Sequence, residues 1–494
     1  MANPKKLVLA VIDSLKPEML ERAIADGRAP ALATIVERGV YVRDCVSSFP
    51  SVTPVASATI ATGTEPHDHN IPSMNWYHRG EQRYVEYGSS FEATRTFGVV
   101  RSLYDTVYNM NMAHLSRGVD TVFERLEDAG LRTAGTTYLI YRGRTRHTIA
   151  EDGIYPRIAK AAAFRHAVWG PTELFYADLF ASRRTGCRST LGMPGQRDQH
   201  TGCVGAHLVD NELFDFMLFS LPDNDTYSHK HGPYAQVTSI AAADRALERI
   251  MHAGGGPDEF LRDHAVIVMS DHSQTQVEDR LLLTRVLEGW RILDPHDPAP
   301  EEAELAVCPA ARSAMVYVLD PERRDGLAPL VARQLEDADG VDLVARLDAR
   351  SGTGGAEGVV SSRRGELRFA PGGDLEDLRG GRWSVEGDLE ALELRVADGR
   401  VTSRMYPHAL GRLWSALTCP SSGDVLVSAE PGYEFVDWGG ADHVGGGSHG
   451  SLHRGDSLGT LIFCGTGPES VDAREQWTIA DAATATLDHF SLPS

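Results

Sequence analysis

Two stretches of the chain set an aspartate and a histidine just past an apolar run. Phe216 to Leu221 leads to Asp225 and His229, and Ala265 to Met269 leads to Ser270, Asp271 and His272. A carboxylate beside an imidazole starts a site for zinc or manganese, which accept oxygen and nitrogen donors without thiolates. Two such pairs imply two ions side by side. That arrangement clamps the attacking and leaving oxygens of an in-line phosphoryl displacement. A third apolar run, Leu7 to Ile12, ends in Asp13 and adds a carboxylate to the set.

A hydroxyl candidate lies in the stretch from Ser48 to Gly63. The residue types predict a short helix with Thr53 as N-cap, Pro54 at the first helical position and Gly63 at the end. A hydroxyl there sits in positive potential, which favours an alkoxide and an incoming phosphate. This segment alone supports two readings of Thr53, a cap and a nucleophile. Late in the chain, His449 follows Gly445-Gly446-Gly447-Ser448 and precedes Gly450. Glycines allow close approach of backbone to a ligand. His443 and His453 compete with it.

These residues need a scaffold that brings strand ends together. The three apolar runs are too short for helices and read as buried strands. Open α/β sheets hold their sites at the carboxyl ends of such strands. Residues 1–275 alternate strand-like and helix-like segments, including a helix over Val119 to Ala129 and a strand over Arg132 to Tyr138. The pattern predicts an α/β fold: a mostly parallel central sheet with helices on both faces. A polar, Arg-rich stretch from about 142 to 205 interrupts it. Residues 280–420 read as a smaller α+β insertion, a cap. From 424 the α/β pattern resumes, so the catalytic domain is expected to comprise 1–279 and 421–494.

Composition narrows the function. The 494 residues are 42% hydrophobic, ordinary for a soluble protein. The net charge of −21 comes with no basic block, which argues against a nucleic acid polymer as partner. No stretch approaches a membrane span, and the N-terminal apolar run ends in Asp13 rather than a cleavage site, so no membrane partner is expected and a cytoplasmic location is the default. Six cysteines form no C-x-x-C pair. Cys187 and Cys203 could close a surface loop; free thiols are the expectation.

The ordered set resembles the alkaline phosphatase superfamily, in its type I phosphodiesterase and nucleotide pyrophosphatase branch. The resemblance rests on Asp13, on Thr53 with Thr62-Gly63, on Asp225 to His229 with Gly232-Pro233, on Ser270-Asp271-His272, and on Gly447-Ser448-His449-Gly450. It implies two divalent ions, usually zinc, with manganese the other fit by donor type. Asp225, His229 and His449 would hold one ion. Asp13, Asp271, His272 and the Thr53 hydroxyl would hold the other. Thr53 would attack phosphorus to give a phosphothreonine, on a small phosphorylated substrate of nucleotide type.

One departure stands out. Relatives place a phosphate-binding asparagine soon after His-Gly-Ile. Here His69-Asn70-Ile71 is followed by Met74 at that place and Asn75 one residue later. Asn75 is the expected substrate contact after a small loop shift. Trp76 and Tyr77 read as core aromatics ahead of a base platform, and Arg142, Arg144 and Arg146 as solvated surface ahead of a phosphate contact. The alternatives are a phosphonate hydrolase of phosphonoacetate type, a phosphomonoesterase of the same superfamily, and a metal-free binding protein on that fold.

Overall fold

Residues 7–12 serve two cores at once. Leu7, Leu9 and Val11 face one cluster of buried side chains, while Val8, Ala10 and Ile12 face another. That is the signature of a strand covered on both sides. A computed structural model describes residues 4–149, 166–176, 179–189, 193–296, 299–349 and 355–493. Its main sheet has nine strands: β1 (Lys6–Ile12), β2 (Val40–Val46), β3 (Thr133–Thr136), β4 (Glu173–Tyr176), β5 (Phe180–Ala181), β6 (Phe216–Leu221), β7 (His264–Met269), β8 (Leu458–Cys464) and β9 (Trp477–Thr478), in the order β9-β2-β8-β7-β1-β6-β3-β4-β5. The centre is parallel: β1 pairs with β6 and β7, β3 with β6, and β4 with β3. β8 runs antiparallel between β7 and β2. The α/β architecture is therefore the expected one.

The helices used below are α1 (Pro17–Ala25), α2 (Pro30–Glu37), α3 (Thr53–Thr62), α4 (Val122–Asp128), α5 (Arg197–Asp210), α6 (Asp223–His231), α7 (Val237–Ala253) and α8 (Asp481–His489). Leu20 of α1, Leu32 of α2, Leu208 of α5 and Ile240 of α7 cover one face of the sheet. Val55 of α3, Phe123 of α4 and Leu487 of α8 cover the other. α4 is shorter than expected because Thr121 caps it, accepting from Glu124 N–H while the Glu124 side chain accepts from Thr121 N–H.

A second sheet forms from the middle of the chain. It runs from Leu305–Ala310 through Ser313–Val318, Val425–Ala429, Val341–Ala349, Ala356–Ser362 and Gly365–Glu376 to Arg400–Ser403 and Leu394–Ala397. The apolar run at 424–428 therefore does not rejoin the main sheet. Val425–Ala429 pairs antiparallel with Ser313–Val318 and with Val341–Ala349. Val425 and Val427 pack with Val316, Val344 and Val331 in a core of their own. A three-stranded sheet, Gly432–Phe435, Thr275–Leu281 and Gly447–Ser448, then leads the chain back toward the ends of β1 and β7.

The cysteine expectation is corrected. Cys187 and Cys203, the latter on α5, form a disulfide with Cα atoms 5.8 Å apart. Cys45, Cys308, Cys419 and Cys464 are free and buried. Among the described residues, no helix is long and apolar enough to cross a membrane.

Candidate metal centre and nucleophile

The expected ligands follow strands of the main sheet, except His449, which follows a strand of the three-stranded sheet. Asp13 follows β1 directly, and Asp271 and His272 follow β7 after one residue. The residue after Asp13, Ser14, has φ 54°. That left-handed turn, costly for serine, lets Ser14 N–H donate to Asp271 Oδ1 at 3.0 Å and ties the two strand ends together. Asp225 and His229 lie on α6, which starts two residues after β6. Their spacing of four residues puts them on one face of the helix. His229 Nε2 is 3.4 Å from Asp225 Oδ2. His449 follows the short strand Gly447–Ser448, where a Cβ on the preceding Gly446 would overlap the carbonyl oxygen of His229.

Three imidazoles converge through the same nitrogen. His229 Nδ1 donates to Gly447 O at 2.8 Å, His449 Nδ1 to Ser51 O at 2.8 Å, and His272 Nδ1 to Ser273 O at 3.2 Å. A carbonyl partner fixes the proton on Nδ1 and leaves the Nε2 lone pair free to ligate. His449 Nε2 is 3.7 Å from Asp225 Oδ1. His272 Nε2 is 3.7 Å from Asp13 Oδ1 and 3.5 Å from Asp271 Oδ2. Ligand atoms of Asp225, His229 and His449 lie within 4.8 Å of one another, and so do those of Asp13, Asp225 and His272. Asp225 thus stands between the two groups. Asp271 Oδ1 serves Ser14 and His272 backbone N–H groups, which leaves Oδ2 toward the centre.

The electrostatics ask for cations. Burial, then the Asp271 and Asp225 charges, holds the Asp13 carboxyl well above its usual range. Burial pushes Asp271 up to about 6, with Asp225 adding to it. Burial also lowers His272 to about 4 and His449 to about 3, so both are neutral at pH 7. Burial acts to raise Asp225 as well, but His229, His449 and His272 outweigh it and hold its carboxyl well below the usual range. For His229 burial is outweighed by Asp225, which brings it to about 8. Asp13 Oδ1 is buried with no hydrogen-bond partner. Three carboxyl groups, the neutral imidazoles of His272 and His449 and an orphaned carboxylate oxygen fit borderline divalent ions such as zinc or manganese, which would displace the His229 proton on binding.

Thr53 faces this cluster. It is the first residue of α3, not its cap: Val52 is extended, with φ −121° and ψ 147°, and its carbonyl accepts from Val55 and Ala56 N–H. The Thr53 hydroxyl is therefore free of capping and lies 3.2 Å from His272 Nε2. Gly63 closes α3 in the left-handed conformation, φ 71°. Ser51 Oγ donates to Ser451 O, so the segment before α3 is stitched to the His449 loop.

Asn75 does not join them. It is 1% exposed, and its Nδ2 donates to Val85 O across the hairpin of Asn75–His78 and Arg83–Glu86. Met74 lines the cavity in its place. Asn70 takes the left-handed φ of 65° that a glycine would otherwise provide. Trp76 and Tyr77 belong to the core. Arg142 is buried against Glu124, Arg144 pairs with Asp120, Glu124 and Asp128, and Arg146 is exposed. His443 is held by Glu434 at 2.7 Å, and His453 Nδ1 accepts from Gly455 N–H.

A cavity of about 740 Å³ opens over the centre. Asp13, Thr53, Asp225, His229, Asp271 and His449 form one side, and Phe91, Leu103, Tyr138, Leu139 and Tyr176 another. Two residues near the centre carry no sequence signature. Arg197, the one lysine or arginine among the described lining residues, is paired with Asp223 at 2.8 Å. Gln274, two residues past His272, donates from Nε2 to Asp225 Oδ1 at 2.5 Å.

The mostly parallel sheet with helices on both faces is the alkaline phosphatase-like fold. The chain belongs to the type I phosphodiesterase / nucleotide pyrophosphatase family, whose profile matches residues 7–452. Solved structures share the fold. Phosphonoacetate hydrolase from Sinorhizobium meliloti 1021, in complex with phosphonoformate, is 18% identical with a TM-score of 0.54. Murine ectonucleotide pyrophosphatase / phosphodiesterase 5 is 12% identical with a TM-score of 0.58. Each comparison covers 99% of this chain and 96% of the other. No curated protein matches the chain.

Proposed function

We propose that the chain is a metal-dependent hydrolase that cleaves phosphodiester or pyrophosphate bonds of small, nucleotide-type molecules through a phosphothreonine at Thr53. The observation that carries this reading is the Thr53 hydroxyl, uncommitted to capping and 3.2 Å from His272 Nε2. Asp225, His229 and His449 would hold one divalent ion, and Asp13, Asp271, His272 and Thr53 the other. When bound, the pair supplies charge to stabilise the attacking and leaving oxygens. In the first displacement Thr53 Oγ1 bonds to phosphorus, the leaving oxygen takes the P–O bonding pair, and the hydroxyl proton passes through solvent to that leaving oxygen. Water then bonds to phosphorus, and Thr53 Oγ1 leaves and regains a proton. The Nδ1 hydrogen bonds to Gly447, Ser51 and Ser273 keep the imidazoles in register throughout.

The wall of the cavity supports a diester. Phe91, Leu103, Tyr138 and Tyr176 give an organic substituent apolar surface. A monoester dianion would find one guanidinium, Arg197, already paired with Asp223. A second reading, a phosphonate hydrolase, is supported by the fold shared with phosphonoacetate hydrolase. A panel on zinc-loaded protein separates them: a phosphate diester, a nucleoside triphosphate, a phosphate monoester and phosphonoacetate. The proposal expects the diester or triphosphate to be fastest and chelation to abolish turnover. Faster phosphonoacetate turnover selects the second reading, and a faster monoester or indifference to chelators refutes both.

A further inference from the structure

The reverse side of α6 borders a second cavity. It measures about 580 Å³ and lies among the first turn of α5, α6 and α7. It shares Pro194 and Thr226 with the cavity over the metal centre, but none of the expected ligands lines it. Lys230 stands on α6, and Arg245 and Arg249 one turn apart on α7. Among the described residues none of the three has an ion-pair or hydrogen-bond partner. In a chain of net charge −21, three cations without a partner among the described residues surround one concavity.

The wall holds a second, independent sign. Asp198, in the first turn of α5, is 2% exposed and lines the cavity. Its Oδ1 accepts from Asp223 N–H at 3.1 Å, but its Oδ2 is buried with no hydrogen-bond partner. Burial, then the Asp223 charge, pushes this carboxyl up to about 8, so at neutral pH it carries a proton and can donate. The positive end of the α5 dipole faces the same space. Two guanidinium groups and an ammonium match a dianion with several acceptor oxygens better than a single carboxylate. The volume admits a small organic molecule.

We propose that this cavity is a second binding site, separate from the metal centre, for a small molecule that carries a phosphate group. Lys230, Arg245 and Arg249 would contact the phosphate oxygens, and Asp198 would donate to one of them. The probe is inorganic phosphate, titrated calorimetrically into metal-loaded protein and into R245E/R249E. Both arginines are exposed, so kcat/KM without added phosphate should stay within about twofold of the parent. The parent should show a phosphate-binding event that weakens at least ~10-fold in Kd in R245E/R249E and survives in R245K/R249K. Should R245E/R249E fail to fold, the exposed K230E provides the same comparison. Phosphate isotherms that are identical in the parent and the charge-reversed variant would overturn the proposal.

Discussion

Replacing Gln274 by leucine should loosen metal binding without loosening the fold. Gln274 is fully buried, and its Nε2 donates to Asp225 Oδ1 at 2.5 Å and to Asp225 O at 3.3 Å. It orients the one carboxylate that both ligand groups share. A hydrogen bond to a charged group is worth about 1.5–3 kcal/mol. At ~1.4 kcal/mol per decade this predicts a loss of about 10- to 100-fold in metal affinity, the range expected for partners that orient a ligand from behind. Leucine also removes Gln274 Oε1, a buried acceptor with no partner. The melting of metal-free Q274L should therefore match the parent to within about 1 kcal/mol. Competitive chelator titration measures zinc affinity directly. Affinity unchanged within about twofold would mean that Asp225 is no ligand, or that Gln274 does not orient it.

Two further outcomes concern groups away from the metals. Burial lowers His69 to about 3, and its Nδ1 accepts from Ile71 N–H while Nε2 meets Thr59 Oγ1. The unfolded chain binds that proton near 6.5 and the folded chain does not, so the contribution is complete above 6.5 and lost as pH falls toward 3. Denaturant unfolding at a series of pH values should show this slope, up to ~1.4 kcal/mol per pH unit, and H69Q should flatten it. Reducing Cys187–Cys203, which are 16 residues apart, should destabilise the protein by about 3 kcal/mol by the loop-closure relation. Unfolding midpoints of the parent and C187S/C203S check this, and equal midpoints would deny the cross-link.

The positions of the candidate site residues are more legible in the sequence than the scaffolding around them. Asp13 and the Asp271-His272 pair could be read because a buried parallel strand is a continuous apolar run and its carboxyl end is where polar groups first become possible. Asp225 and His229 could be read because a four-residue spacing is one helical turn. Val425–Ala429 could not be assigned to its sheet, since an apolar run states that a strand is buried but not beside which neighbour. Thr53 stands in the first turn rather than at the cap, one residue from the expected place, because a threonine suits either position. Asn75 missed the cavity because its side chain serves Val85 O across a hairpin that local sequence does not announce. Gln274 and Arg197 were invisible for the same reason: their partners are 49 and 26 residues away.

The measurement closest to the centre of the account is rapid acid quenching with a labelled diester, followed by mapping of the label. Phosphate should be trapped on the peptide that contains Thr53. T53A should bind both metals through the remaining carboxylates and imidazoles, trap nothing, and lose at least ~1,000-fold in rate, about 4 kcal/mol of barrier. T53S, which keeps the hydroxyl, should retain measurable turnover and the label. A T53A protein that folds, holds two metals and turns over at a near-native rate would contradict the account and make water the direct nucleophile.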